Sequence, residues 1–126
     1  MGLLVNGEWV DEWYDTATTG GSFVRTTAQF RNWITSDGHA GASGVGGFTA
    51  EAGRYHLYVS LACPWAHRTL IFRVLKRLEG MIGISVVNPY MGDHGWTFEH
   101  APGVVADPVQ QAHYLYEVYL RAAPDY

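Results

Sequence analysis

The stretch Tyr55-His-Leu-Tyr-Val-Ser60, followed by Cys63-Pro64 and then by Ile82-Gly-Ile-Ser-Val-Val87, decides the fold. Its first and last parts are rich in β-branched and aromatic residues, which is typical of strands. Between them, Pro64 to Leu78 repeats apolar residues at the i, i+3, i+4 and i+7 spacing of one buried helix face, namely Ile71, Val74, Leu75 and Leu78. The stretch therefore predicts a βαβ unit with parallel strands.

Beyond the second strand, the sequence predicts a loop and then a second helix. Asn88-Pro89 ends the strand, and Pro89–Ala106 has the composition of a long loop that carries Trp96. Asp107-Pro108 is a favourable helix start, with Asp as the N-cap and Pro at the first helical position. We expect this helix to run through Arg121 and to bury Tyr114, Leu115, Val118 and Tyr119.

The part before the βαβ unit has a different composition. Residues 1–53 are predicted to form an N-terminal extension, mostly irregular and Gly-rich, and Gly38–Gly53 matches neither a G-x-G-x-x-G turn nor a P-loop. Residues 54–126 are predicted to be the first part of an α/β domain. Because two strands and two helices do not complete such a domain, the sequence is expected to be truncated.

The bulk composition excludes several classes of protein. Hydrophobic residues make up 48% of the 126 residues and charged residues 16%, which is a globular composition. A net charge of −4 without a long basic run argues against nucleic acid as a partner, and no apolar stretch is long enough for a membrane span. The six histidines form no H-x-x-x-H or H-E-x-x-H pattern, so no metal site is expected.

The single cysteine, Cys63, is the main candidate for chemistry. With Pro64 at the first helical position, Cys63 lies at the N-cap or in the first turn, where free N–H groups and the positive end of the helix dipole stabilise a thiolate. His67 or Arg68, one turn on, are candidates for adding positive charge near the sulfur. The alternatives are that Cys63 is a small buried apolar residue and His67 a structural or capping residue.

The surroundings of Cys63 favour a one-thiol reaction. A dithiol site would have a second cysteine three residues on, where this chain has Ala66. A mixed disulfide on Cys63 must therefore be opened by an external thiol, and glutathione is the obvious one in a reducing, cytoplasmic compartment. Trp96 is either a cover for the sheet edge or an aromatic surface for a bound peptide or quinone ring.

The run from Tyr55 to Arg77, with Cys63-Pro-Trp-Ala-His-Arg68 inside it, resembles the active-site segment of glutathionyl-hydroquinone reductases, the Xi class of glutathione transferases. Four further motifs resemble the same family: Gly20-Gly-Ser-Phe23, Phe30-Arg-Asn-Trp33, Val86-Val-Asn-Pro89 and Gly95-Trp-Thr-Phe98. The resemblance covers nearly the whole chain.

This resemblance implies a thioredoxin-like domain, incomplete here, and a C-terminal helical domain that this sequence lacks. It implies Cys63 as the catalytic nucleophile, supported by Pro64, His67 and Arg68, and Trp96 as a contact to glutathione. It further implies glutathione as co-substrate, glutathionyl-hydroquinone as substrate, no metal, and a homodimer at full length.

Two other functions remain open at this point. The same cysteine chemistry would serve an omega-like thioltransferase or dehydroascorbate reductase. A truncated unit with an exposed sheet edge would instead be an inactive fragment, or would bind a partner through that edge.

Overall fold

The computed structural model describes residues 2–12, 15–24 and 27–126. The chain divides into two compact units: Met1–Trp13 together with Gly53–Tyr126, and Tyr14–Ala52. No helix within the described ranges has the length and hydropathy needed to cross a membrane. In chain order the elements are β1 (Leu3–Val5), β2 (Glu8–Val10), β3 (Trp33–Thr35), β4 (Gly47–Thr49), β5 (Tyr55–Val59), α1 (Pro64–Leu75), β6 (Ile82–Val86), β7 (Met91–Gly92), β8 (Gly95–Trp96) and α2 (Leu115–Ala122).

The predicted βαβ unit is confirmed at the centre of the first unit. Strands β5 and β6 pair in parallel from Tyr55 opposite Ile82 to Val59 opposite Val86, with α1 between them in the chain. Helix α1 ends at Leu75, three residues earlier than predicted. The helix stops there because Arg77 adopts the left-handed conformation, with φ of 55°.

The core lies along β6 and the residues after it. Val87 is fully buried and forms a cluster with Phe98 and Ala112. The half-buried residues that pack against this cluster are Tyr58, Trp96, Leu115 and Val118. Val105 exchanges two backbone hydrogen bonds with Val86, so a short piece of the following segment pairs antiparallel with β6.

The prediction that α1 buries one apolar face is wrong at Ile71, Val74 and Leu75, whereas Leu78, which lies beyond the end of the helix, is half-buried. Ile71, Val74 and Leu75 are 46%, 58% and 69% exposed, and α1 has no buried residue. Arg73 holds the helix instead, because its guanidinium donates hydrogen bonds to the carbonyl oxygens of Ile82 and Glu79 at 2.8–3.1 Å. The periodicity identified an apolar face correctly, but no described residue covers it.

The segment predicted as a long loop contains a hairpin. Strands β7 and β8 pair antiparallel, with Met91 opposite Trp96 and Gly92 opposite Gly95. Gly95 has φ of +74°, a conformation that glycine adopts without strain. Trp96 therefore lies in a strand and not in irregular chain.

The second helix begins much later than predicted. Asp107 does cap backbone groups, but the N–H groups it accepts from belong to a turn, at Val109, Gln110 and Ala112. Gln111, with φ of 54°, then prevents a helix from continuing. Helix α2 starts after Tyr114, where Glu117 accepts hydrogen bonds from the N–H groups of His113 and Tyr114. Of the residues predicted as buried, Tyr114, Leu115 and Val118 are half-buried and Tyr119 is exposed.

The N-terminal residues differ from the predicted irregular extension. Strands β1 and β2 form an antiparallel hairpin whose turn is Asn6-Gly7, both with positive φ. This hairpin belongs to the same unit as residues 53–126, so the structural division does not follow the predicted boundary after residue 53. Five residues of the predicted extension, at positions 1, 13, 14, 25 and 26, lie outside the described residues.

The second unit, Tyr14–Ala52, contains a small parallel pair of strands. Trp33–Thr35 pairs with Gly47–Thr49. The Asn32 side-chain oxygen accepts hydrogen bonds from the N–H groups of Val45 and Gly46, and the Trp33 indole donates to Ser43 at 2.8 Å. The Gly-rich segment is thus ordered by side-chain hydrogen bonds.

Candidate active site

Cys63 is the N-cap of α1, with Pro64 in the first turn, as the sequence predicted. Its backbone is extended, with φ of −94° and ψ of 114°, and its carbonyl accepts the first helical hydrogen bond from the N–H of His67. The side chain makes no capping hydrogen bond and the thiol is half-buried. A sulfur in this position is partly accessible and lies at the N-terminal end of α1, where the backbone N–H groups have no side-chain cap.

Cys63 and Trp96 both follow the carboxyl ends of neighbouring parallel strands. Val59 ends β5 and pairs with Val86, and the N–H of Val87 donates to the Val59 carbonyl at 3.0 Å. The chain after β5 leads within four residues to Cys63. The chain after β6 leads into the hairpin that carries Trp96. Ligands of open α/β sheets bind outside the carboxyl ends of the strands, so these two connections form the expected edge for a site.

The Trp96 side chain is held against the core and has an unusual polar atom. The ring packs against the cluster of Val87, Phe98 and Ala112. Its indole nitrogen is buried and has no hydrogen-bond partner among the described residues. An unsatisfied buried donor costs about 1–3 kcal/mol, so such groups are few in folded proteins.

Tyr119 on α2 is a neighbour of Cys63 that the sequence did not reveal. Desolvation of its hydroxyl raises the pKa of Tyr119, although the side chain as a whole is 39% exposed, and electrostatic interactions with Tyr126 and Cys63 raise it further. The Tyr119 and Tyr126 rings lie 5.1 Å apart. The Tyr119 phenol therefore holds its proton more tightly than a free tyrosine does. No local sequence signal indicates this electrostatic interaction, because it joins segments more than fifty residues apart.

Arg68 and His67, the two candidates for positive charge near the sulfur, lie in different surroundings. The Arg68 guanidinium lies over the ring of Trp65, 4.6 Å from its centroid, which is a cation–π contact. His67 is exposed and lines an open apolar groove of about 420 Å³. The other residues that line this groove are Leu61, Leu70, Ile71, Val74 and Leu75. Within the part of the chain that the structure describes, neither side chain makes a hydrogen bond to the Cys63 sulfur.

A polar pair formed by half-buried Tyr58 and buried Asp107 supports the strand that leads to Cys63. The Tyr58 hydroxyl donates to Asp107 at 2.9 Å, and burial together with this hydrogen bond raises the pKa of Tyr58 to about 12. Burial alone would raise the pKa of Asp107, but N–H groups of Gln110, Ala112 and Val109 and the Tyr58 hydroxyl lower it overall. Asp107 therefore stays charged and fixes the chain beside β5.

The arrangement suits thiol chemistry. The chain has one cysteine, so the sulfur has no internal partner for a disulfide. Across the described ranges, no group of three or more His, Cys, Asp or Glu side chains is disposed to hold a metal ion.

Several known proteins resemble this chain in sequence and in structure. No protein-family model matches the sequence. Glutathionyl-hydroquinone reductase YqjG from Escherichia coli (strain K12) is 58% identical over 127 residues, covering all of this chain and 39% of that protein. Glutathionyl-hydroquinone reductase PcpF from Sphingobium chlorophenolicum is 52% identical over 126 residues, covering all of this chain and 37% of that protein.

Solved structures that resemble this chain come from the same family. A glutathione-bound structure of YqjG superposes with a TM-score of 0.80 and 50% identity, covering 98% of this chain and 35% of that one. A Xi-class glutathione transferase from Natrialba magadii gives a TM-score of 0.79 and 48% identity, covering 99% of this chain and 35% of that one. These likenesses confirm the predicted α/β, thioredoxin-like fold class. The chain spans less than two fifths of the length of these relatives. It belongs to the glutathionyl-hydroquinone reductase family, the Xi class of glutathione transferases, and corresponds to the N-terminal part of its members.

Proposed function

We propose that the protein reduces glutathionyl-hydroquinones to hydroquinones with glutathione as co-substrate, through a mixed disulfide on Cys63. The observation that carries this proposal is the position of Cys63 as the uncapped N-cap of α1, followed by Pro64. The relatives named as glutathionyl-hydroquinone reductases support the substrate class.

The reaction has two steps. The Cys63 thiolate attacks the sulfur of the glutathionyl group, forming an S–S bond while the bond from that sulfur to the ring carbon breaks. The ring carbon keeps the electron pair and takes up a proton, which releases the hydroquinone. A second glutathione thiolate then attacks the glutathione sulfur of the mixed disulfide, giving oxidised glutathione and restoring the Cys63 thiolate.

The other candidate site residues are proposed to bind glutathione or to support the Cys63 nucleophile. Trp96, whose indole N–H lacks a partner, is proposed to contact glutathione. Pro64 fixes the helix start, while His67 and Arg68 are proposed to add positive charge at this end of α1. The dependence on reduced glutathione supports a cytoplasmic location. The homodimer expected at full length stays a prediction.

The test uses the protein at its natural length and its Cys63→Ser variant. Both are incubated with glutathionyl-menadiol and glutathione, and hydroquinone release is followed. We expect release only from the wild type, and a single glutathionyl adduct on Cys63 by mass spectrometry when the second glutathione is withheld. Release by Cys63→Ser at the wild-type rate would overturn the mechanism.

A second substrate separates this function from that of an omega-like thioltransferase. The same protein is assayed with a small mixed disulfide of glutathione. A much faster reaction with the mixed disulfide than with glutathionyl-menadiol would assign the thioltransferase activity instead.

A further inference from the structure

The hairpin that carries Trp96 is too small to hold its own shape. Each of its strands, β7 and β8, has two residues. Isolated two-stranded hairpins are at best marginally stable in water. The geometry of the Trp96 side chain must therefore be set by residues outside the hairpin.

Trp9 of the N-terminal hairpin contacts the turn between β7 and β8. Its indole N–H donates to the carbonyl oxygen of Asp93 at 2.8 Å. Its ring also covers Gly95, so closely that a Cβ on Gly95 would lie 2.7 Å from the nearest Trp9 ring carbon. Gly95 is buried, immediately before Trp96. The hydrogen bond and the ring contact together fix the start of β8.

An aromatic column, formed by Trp9, Tyr116, Tyr114 and His94, runs from Trp9 past the start of α2 to the same turn. Trp9 stacks on Tyr116 at 5.0 Å between ring centroids, Tyr116 stacks on Tyr114 at 5.4 Å, and Tyr114 stacks on His94 at 5.3 Å. Asp93, His94 and Gly95 are therefore all held by one continuous set of rings. Thr97, just after Trp96, is bridged to Tyr114 as well.

We propose that Trp9 is a positioning residue for glutathione binding, because it fixes the turn of the hairpin that presents Trp96. This inference rests on the proposed glutathione contact of Trp96 and adds the β1–β2 hairpin to the binding machinery. Trp9 acts through Trp96 and touches neither glutathione nor the sulfur. The described contacts of Cys63 do not include Trp9, so the reactivity of the thiol should be independent of it.

The experiment measures binding of S-methylglutathione, which forms no disulfide, to the protein at its natural length. Trp9→Phe keeps an aromatic ring for stacking but removes the N–H donor. We expect its dissociation constant to rise by about two- to tenfold, the factor that corresponds to one net hydrogen bond. The rate of Cys63 alkylation by iodoacetamide should stay at the wild-type value, which a general loss of structure would not allow.

Trp33→Phe is the matched control. It removes an indole N–H that also donates a 2.8 Å hydrogen bond, to Ser43, in the other unit of the chain. Its dissociation constant should be unchanged. If Trp33→Phe weakened binding as much as Trp9→Phe, the effect would not be local and the proposal would be overturned.

Two further variants keep the outcomes distinct. Tyr116→Leu removes the stacking partner of Trp9 and should also weaken binding, so it tests the column even if Trp9→Phe folds poorly. Trp96→Phe tests the underlying contact. Weaker binding by Trp96→Phe with wild-type binding by Trp9→Phe and Tyr116→Leu would overturn the role of Trp9 alone. Wild-type binding by Trp96→Phe would overturn both the Trp96 contact and this inference.

Discussion

Two regions of the βαβ unit, both of which lead to candidate site residues, are packed very differently. Strand β6 and the chain after it bury Val87 completely and enclose Phe98 at 9% exposure. Helix α1, which begins at Cys63, has no buried residue and exposes Phe72 at 61%. The Trp96 side of the candidate site therefore rests on a packed core, whereas the Cys63 side rests on backbone and polar contacts.

This difference separates two tasks of the site. A binding residue such as Trp96 needs a fixed orientation, which close packing supplies. A thiolate at a helix start depends on the local N–H groups and dipole, which exist as soon as the first turn forms. The Cys63 environment can therefore form although the rest of its helix is uncovered.

Replacing one phenylalanine by alanine in each region tests the difference in packing most directly. Phe98→Ala should lower the free energy of unfolding by about 3–5 kcal/mol, because it leaves a cavity in the core. Phe72→Ala should change it by no more than about 0.5 kcal/mol, because the ring is largely exposed. Urea unfolding followed by circular dichroism measures both. Equal losses would mean that α1 is packed after all.

The next largest change in the free energy of unfolding is expected when the hydrogen bond from Tyr58 to Asp107 is removed. Tyr58→Phe removes a hydrogen bond to the charged, buried Asp107 and should cost about 1.5–3 kcal/mol of the free energy of unfolding. Tyr90→Phe, at an exposed tyrosine, is the matched control and should be neutral. A neutral Tyr58→Phe would show that three backbone donors suffice for Asp107.

The same pair predicts a dependence on alkaline pH. Folding raises the pKa of Tyr58 from 10.0 to about 12, so the folded state holds this proton more tightly than the unfolded state. The resulting stabilisation is complete below pH 10 and is lost as the pH rises toward 12. The stability difference between wild type and Tyr58→Phe should therefore shrink over that range, as measured by urea unfolding. Other tyrosines titrate in both proteins and cancel. A difference that stays constant up to pH 12 would contradict the role of this hydrogen bond.

Sequence patterns predicted the elements whose cause is local. The strands around Tyr58 and Ser85 follow from their β-forming residues, and Cys63-Pro64 marked the start of α1. Asn6-Gly7, with Val5 before it and Trp9 two residues after it, also carries a strong hairpin signal, but the composition of residues 1–53 predicts an irregular extension.

Other features depend on contacts that no local pattern contains. Asp107 is a good N-cap, but the left-handed Gln111 four residues later redirects the chain, and glutamine gives no warning of that conformation. The electrostatic interaction of Tyr119 with Cys63 and the hydrogen bond from Trp9 to Asp93 each join segments that are distant in the sequence. The unpartnered indole of Trp96 likewise becomes visible only once its surroundings are known.

The smallest expected effect tests whether apolar contacts hold α1 at all. Leu75→Gln should change the free energy of unfolding by less than about 0.5 kcal/mol, since the side chain is already largely in water. Leu115→Gln, at a half-buried leucine against the core cluster, should lose about 1.5–3 kcal/mol, since it withdraws an apolar side chain from that cluster. Urea unfolding of the two variants gives the comparison directly. A null result at Leu75 means that α1 is held by Arg73 and by its own backbone, whereas a loss like that at Leu115 would mean that α1 is packed as tightly as β6.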